Sequence, residues 1–222
     1  MSELISFESV TIFQDDRPVV GNLSLSVKKG EFVYLLGKTG SGKSSFLKTL
    51  YGDLPINNGQ ARACGHDLLN LRQKDIPFLR RKLGIVFQDF QLLSDRNVYE
   101  NLKFVMKATG WRDEAKIRER IAEVIKKVSL EGKENKMPHE LSGGEQQRVS
   151  IGRALVNDPE IILADEPTGN LDPETSEEIL RLLMELSQSG RAVLFATHDM
   201  LVYNKFKSRT LTFENGKVRE MV

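Results

Sequence analysis

Apolar and polar positions alternate in short runs through the first part of the chain. Leu4 to Ile12 is apolar with polar interruptions, and Asp15-Asp16-Arg17-Pro18 then supplies a turn. Asn22 to Val27 sets Leu23, Leu25 and Val27 on one face, the pattern of a half-buried strand, and closes at Lys28-Lys29-Gly30. Phe32-Val33-Tyr34-Leu35-Leu36 is continuously apolar, which predicts a strand covered on both faces. A glycine-rich loop follows, then a helix from about Ser44 to Tyr51 with Gly52 placed to end it.

The period changes in the middle of the chain. Ile117, Ile121, Val124, Ile125 and Val128 recur at helical spacing among Lys, Arg and Glu, so residues 89–156 read as an inserted helical lobe. Beyond it lie a second buried strand (Ile161 to Ala164), a helix (Pro173 to Ser187) and a third strand (Ala192 to Ala196). The last segment is a hairpin turning on Asn215-Gly216, a dipeptide that accepts the left-handed backbone such turns need. Strands alternating with helices predict an α/β core.

Composition narrows the function classes. A chain of 222 residues suits one domain with a lobe inserted. The formal net charge of +1 gives no global field for nucleic acid or an anionic membrane surface. Cys64 is the single cysteine, so no internal disulfide forms, and a small buried side chain is the expectation for it. No stretch reaches the ~20 apolar residues of a membrane span, and the first residues lack the basic start and apolar core of a signal peptide. Any membrane role is therefore expected to come through a partner.

Three segments carry candidate chemistry. Gly37-Lys38-Thr39-Gly40-Ser41-Gly42-Lys43-Ser44 fits the phosphate-loop pattern, between a predicted buried strand and a helix. Glycines let the backbone wrap a phosphate chain, and the N–H groups of the following helix point at the anion. Lys43 is placed to reach the β- and γ-phosphates, and Ser44 to bind Mg²⁺. Ile161-Ile162-Leu163-Ala164-Asp165-Glu166 is an apolar strand ending in two acids, suited to hold Mg²⁺ (Asp165) and to activate water as a general base (Glu166). Those two motifs establish nucleotide hydrolysis or transfer.

Leu141-Ser142-Gly143-Gly144-Glu145-Gln146-Gln147-Arg148 adds a capped helix start, a second anion site far along the chain. Here the sequence resembles the ABC ATPase family, whose signature motif it matches. The resemblance implies a phosphate-loop NTPase fold of the ABC type. In it, a RecA-like core (residues 1–88 and 157–222) carries an N-terminal antiparallel β subdomain, and residues 89–156 form the helical signature subdomain. It also implies a homodimer sandwiching two ATP with Mg²⁺, each nucleotide held by one phosphate loop, extended to Ser45, and by the partner's Ser142 to Glu145 segment.

Further roles follow from the same resemblance. Gln88 corresponds to the glutamine that contacts Mg²⁺ and senses the partner, and Asp172 in Asn170-Leu171-Asp172 to the loop that organises the dimer interface. His198 corresponds to the histidine that contacts the γ-phosphate, and Phe13 falls where an aromatic stacks on adenine. The stretches Ala164 to Asp172 and Ile76 to Leu93 resemble the family branches serving lipoprotein release, efflux and, most closely, cell division. That last branch implies an FtsX-like membrane subunit at the inner membrane's cytoplasmic face. Phe90, Leu92 and Leu93 are the candidate contacts with it, and lipoprotein-release or efflux permeases are the alternative partners. Ser94-Asp95-Arg96 departs from the branch, where a proline-containing turn is expected.

Overall fold

The computed structural model describes residues 2–221, the side chains of residues 200–202 excepted. The chain opens with a long hairpin, β1 (Glu3–Gln14) and β2 (Arg17–Lys28). Its tip is Asp15-Asp16, both left-handed (φ 47° and 61°), a conformation that aspartate tolerates better than most residues. Then follow β3 (Phe32–Leu36), α1 (Lys43–Leu50), β4 (Gln60–Ala63), β5 (His66–Asp67), α2 (Ile76–Arg81) and β6 (Leu83–Phe87). The helical stretch holds α3 (Val98–Ala108), α4 (Glu114–Lys127), a short 3-10 turn (Pro138–Glu140) and α5 (Gly143–Leu155). The chain closes with β7 (Ile161–Asp165), α6 (Pro173–Gln188), β8 (Ala192–Thr197), α7 (Met200–Lys205), β9 (Arg209–Glu214) and β10 (Lys217–Met221).

Two sheets result. A six-stranded sheet runs β10-β9-β3-β8-β7-β6, parallel except for the terminal β9–β10 hairpin. A four-stranded antiparallel sheet runs β2-β1-β4-β5. The pleat explains why the parallel strands read as unbroken apolar runs. Val33, Leu35, Leu163 and Leu194 face the layer shared with α1 and the antiparallel sheet. Tyr34, Leu36, Ile162 and Phe195 face the opposite layer, where the helical stretch packs. Each strand is buried twice over.

The helical stretch builds its core from the periodic residues read in the sequence. Ile117, Ile121, Val124, Ile125 and Val128 are all buried. Helix α4 starts where Asp113 accepts from the Ala115 and Lys116 amides (3.0 and 3.2 Å), capping donors that have no intrahelical partner. Ser94-Asp95-Arg96 forms a turn without proline, closed by the Arg96 amide on the Leu93 carbonyl (3.3 Å). The fully buried Asn101 braces it, its amide donating to the carbonyls of Leu93, Arg96 and Asn97. Cys64 is buried, and that burial pushes its thiol pKa up to about 12, so it is an inert packing residue.

Register decides where the chemistry sits. Asp165 lies between Phe87 and Ala196 at the carboxyl ends of β6, β7 and β8, and Leu36 of β3 lies beside Thr197. Gln88, Glu166, His198 and the loop after β3 therefore emerge along one sheet edge, where open α/β sheets bind ligands.

Candidate active site

The phosphate loop leaves β3 and enters α1 at Gly42. There φ is 103°, and a Cβ would stand 2.7 Å from the Val20 side chain, so this position requires glycine. Lys43 is buried (4% exposed), and its ammonium donates to the carbonyls of Gly37 (2.5 Å) and Lys38 (3.2 Å). It also pairs with Glu166 Oε1 at 3.5 Å. The cation is thus curled into its own loop, at the mouth of a cleft of 660 Å³.

Two acids mark the end of β7 and behave differently. Asp165 is largely buried, and desolvation raises its pKa, a shift that the Ser44 hydroxyl opposes by hydrogen bonding. Its Oδ1 is buried with no hydrogen-bond partner among the described residues, an expensive arrangement for a site without a cation. Glu166 takes a left-handed backbone (φ 49°), held by its amide on the Ala196 carbonyl (3.0 Å) and its carbonyl under the Gly169 amide (3.1 Å). Strain of this kind persists where surrounding structure fixes it, and it aims the Glu166 carboxylate back over Lys43. Oε2 of Glu166 lies 3.0 Å from His198 Nδ1.

The cleft gathers most of the expected residues. Thr39 to Ser45, Gln88, Asp165, Glu166 and His198 all line it, while Gly37 and Lys38 do not and instead offer their carbonyls to the Lys43 ammonium. Phe13 sits half-buried at the end of β1, opposite Pro18, and is not among the lining residues. Ser142, Gly143, Gly144, Glu145 and Asp172 lie elsewhere as a second group. Ser142 caps α5 in a reciprocal box with Glu145, its hydroxyl accepting from the Glu145 amide (3.2 Å) while its own amide donates to Glu145 Oε2 (2.8 Å). The Ser142 amide, and after it the Lys133 ammonium, hold the Glu145 carboxyl below its ordinary pKa. Asp172 caps α6 through the Thr175 amide (3.0 Å) and hydroxyl (2.6 Å). A Cβ on Gly144 would meet Thr175 Cγ2 at 2.5 Å, so the two helix starts are packed together.

Three further residues belong to the arrangement. Gln14 lines the cleft and accepts from the Ser45 hydroxyl (3.1 Å). Asn170 exchanges two hydrogen bonds with Gln88. Arg153 donates to the carbonyls of Phe90 (2.9 Å) and Gln91, consecutive left-handed residues (φ 58° and 48°). Gln14 adjoins Phe13 and Asn170 lies two positions before Asp172, so position along the chain was a signal for both. No local pattern marks Arg153, because its partners are about sixty positions away.

A phosphate loop, two acids at the end of a neighbouring strand, and a glutamine and a histidine on the same edge define a nucleotide-binding ATPase site. The model of the family described as ABC transporter matches residues 20–169, and the chain belongs to that family. It is 41% identical over 98% of its length to the cell division ATP-binding protein FtsE of Streptococcus pneumoniae, covering 94% of that protein. Against the protein of the same name from Escherichia coli the identity is 42%, covering 96% of both chains. Among solved structures, it resembles the dimeric post-hydrolysis state of the ATP-binding cassette MJ0796 bound to ADP and Pi. The TM-score is 0.84 and the identity 34%, over 98% of each chain. The cbiO1 component of the cbiONQ transporter complex from Clostridium perfringens aligns with a TM-score of 0.90 and 30% identity, over 99% of this chain and 88% of that one.

Proposed function

We propose that this chain is the ATP-hydrolysing subunit of a cell-division ABC complex. It works as a homodimer on an FtsX-like integral membrane subunit, at the cytoplasmic face of the inner membrane. The observation that carries the ATPase reading is the convergence of Lys43, Asp165, Glu166 and His198 at one sheet edge, with Glu166 in contact with the side chains of both Lys43 and His198. The cell-division reading is supported by the FtsE relatives, which match nearly the full chain. Among the described residues no helix is long and apolar enough to cross a membrane, consistent with attachment through a partner.

The donors present fit Mg²⁺. Asp165 supplies an unpartnered buried oxygen, Ser44 a hydroxyl beside it, and Gln88 an amide on the cleft wall. When bound with nucleotide, the ion neutralises phosphate charge. The chain's own residues do the rest. Lys43 exchanges its loop carbonyls for the β- and γ-phosphates. Glu166 takes a proton from the attacking water, while His198 and Lys43 fix the orientation of its carboxylate.

The Ser142 to Glu145 helix start does not line this cleft, so each chain offers two halves of different sites. A second copy completes both, and the MJ0796 cassettes that this chain resembles are dimeric. ATP binding closes the pair and hydrolysis reopens it. That motion is passed to the membrane subunit, and through it to the enzymes that cut peptidoglycan. For docking, the sequence favoured Phe90, Leu92 and Leu93. Leu92 packs against the core and Phe90 and Leu93 are half-buried, while Phe78 and Phe104 are among the large apolar side chains left exposed.

The deciding experiment is a pull-down from detergent-solubilised membranes with Glu166→Gln and ATP, identifying the captured membrane protein. An FtsX-like subunit supports the reading. A lipoprotein-release or efflux permease retains the ATPase assignment and replaces the biological one.

A further inference from the structure

A side-chain amide has two ends of nearly the same shape, of which only the oxygen can ligate a cation. Gln88 stands on the wall of the nucleotide cleft, and which end it presents decides whether it can serve Mg²⁺. We propose that Asn170 is a positioning residue that fixes the orientation of the Gln88 amide and so presents its oxygen to the cleft. This rests on the nucleotide-site reading above and assigns a role to a residue that the reading leaves without one.

The argument starts from a group that has no choice. The backbone carbonyl of Gln88 can only accept, and Asn170 Nδ2 donates to it at 3.1 Å. That bond sets the Asn170 amide one way round. Its Oδ1 is thereby turned to the Gln88 side chain, where it accepts from Nε2 at 3.3 Å. An oxygen in that place can receive only the nitrogen end. Oε1 of Gln88 is left as the end without a hydrogen bond among the described residues.

The loop around Asn170 makes the setting rigid. The Gly169 amide donates to the Glu166 carbonyl (3.1 Å) and the Leu171 amide to the Thr168 carbonyl (3.1 Å), two successive turns that tie Asn170 to the catalytic strand end. A Cβ at position 169 would stand 2.8 Å from Gln88 Nε2, so the Gln88 side chain lies close against the Gly169 backbone. Partners behind a metal ligand commonly govern its affinity in this way.

The test uses the intact chain with ADP, reading Mn²⁺ uptake by the loss of its free-ion EPR signal. Asn170→Ala is expected to weaken Mn²⁺ binding to the ADP complex by about tenfold, with metal-free ADP binding unchanged. The discriminating background is Gln88→Glu, whose carboxylate presents an oxygen whichever way it turns. There Asn170→Ala is expected to cost nothing further. Unchanged Mn²⁺ affinity in Asn170→Ala, or an equal loss in the Gln88→Glu background, overturns the proposal while the nucleotide site stands. If the parent chain takes up ADP but no Mn²⁺ in its presence, the metal assignment falls and this inference with it. No ADP binding by the parent overturns the nucleotide-site reading as a whole.

Discussion

Glu166 Oε2 stands 3.0 Å from His198 Nδ1, and the other oxygen of the same carboxylate faces Lys43 Nζ at 3.5 Å. A carboxylate accepts only, so His198 carries its proton on Nδ1 toward Glu166 whenever Glu166 is ionised. The Glu166 carboxylate is thus oriented from two sides before any nucleotide arrives. Glu166→Gln is expected to slow ATP hydrolysis by about 10²–10⁴-fold while nucleotide binding persists. His198→Ala should also slow it, and the double variant should be scarcely slower than Glu166→Gln alone, because the two act as one unit. Single-turnover hydrolysis with equilibrium ATP binding reads both. Strictly multiplicative losses would show that the contact is incidental.

Asp165 gives a pH dependence with a definite sign. Burial raises its pKa in the folded chain above the ordinary aspartate value, so folding favours the protonated form. Its contribution to stability is therefore complete below the ordinary aspartate pKa and is lost as pH rises through the raised one. Asp165→Asn removes that loss. In EDTA at neutral pH the variant is expected to be more stable by about 1 kcal/mol, a Tm rise of about 2–4 °C. With ADP and Mg²⁺ the parent should gain more than the variant, reversing the order. A variant less stable than the parent in EDTA would mean that the buried carboxylate is not a cost.

Much of this was legible in the chain itself, for identifiable reasons. Strands β3, β7 and β8 are buried on both faces, so Phe32 to Leu36, Ile161 to Ala164 and Ala192 to Ala196 had to be apolar throughout. The phosphate loop, Asp165-Glu166 and His198 follow those strands directly, so their convergence needed only the strand order. The β4–β5 ribbon and α2 escaped because Gln60–Ala63 and His66–Asp67 are too short to show a period, and Ile76–Arg81 begins with a proline near its start. The bonds of Arg153 to Phe90 and Gln91, and of Asn170 to Gln88, are long-range and join polar residues in loops. Periodicity carries no record of such contacts.

Arg153 clamps two backbone carbonyls whose residues are both left-handed, a geometry that nonglycine residues resist. The clamp joins α5, which begins at the Ser142 cap, to the loop after Gln88. Arg153→Met keeps the stem and removes the donors. It is expected to cost about 2 kcal/mol from the two unpaired carbonyls, lowering Tm by about 4–8 °C. Arg153→Lys should recover part of the loss. Thermal unfolding of the three proteins side by side suffices, and a Tm unchanged in Arg153→Met would show that the loop holds itself.

Gly144 and Thr175 set the distance between the starts of α5 and α6. A Cβ at position 144 falls 2.5 Å from Thr175 Cγ2, too close for any real contact. Gly144→Ala is expected to destabilise the chain by about 1–3 kcal/mol through overpacking. Removing the opposing methyl relieves it. Thr175→Ser keeps the hydroxyl and amide that bind Asp172, and the double variant should regain most of the lost stability. The pair also separates packing from anion binding. If Gly144 serves mainly to expose amides, ATP-dependent dimer formation by Glu166→Gln should stay impaired in the double variant even as Tm recovers. If its role is the fit against Thr175, stability and dimer formation should return together.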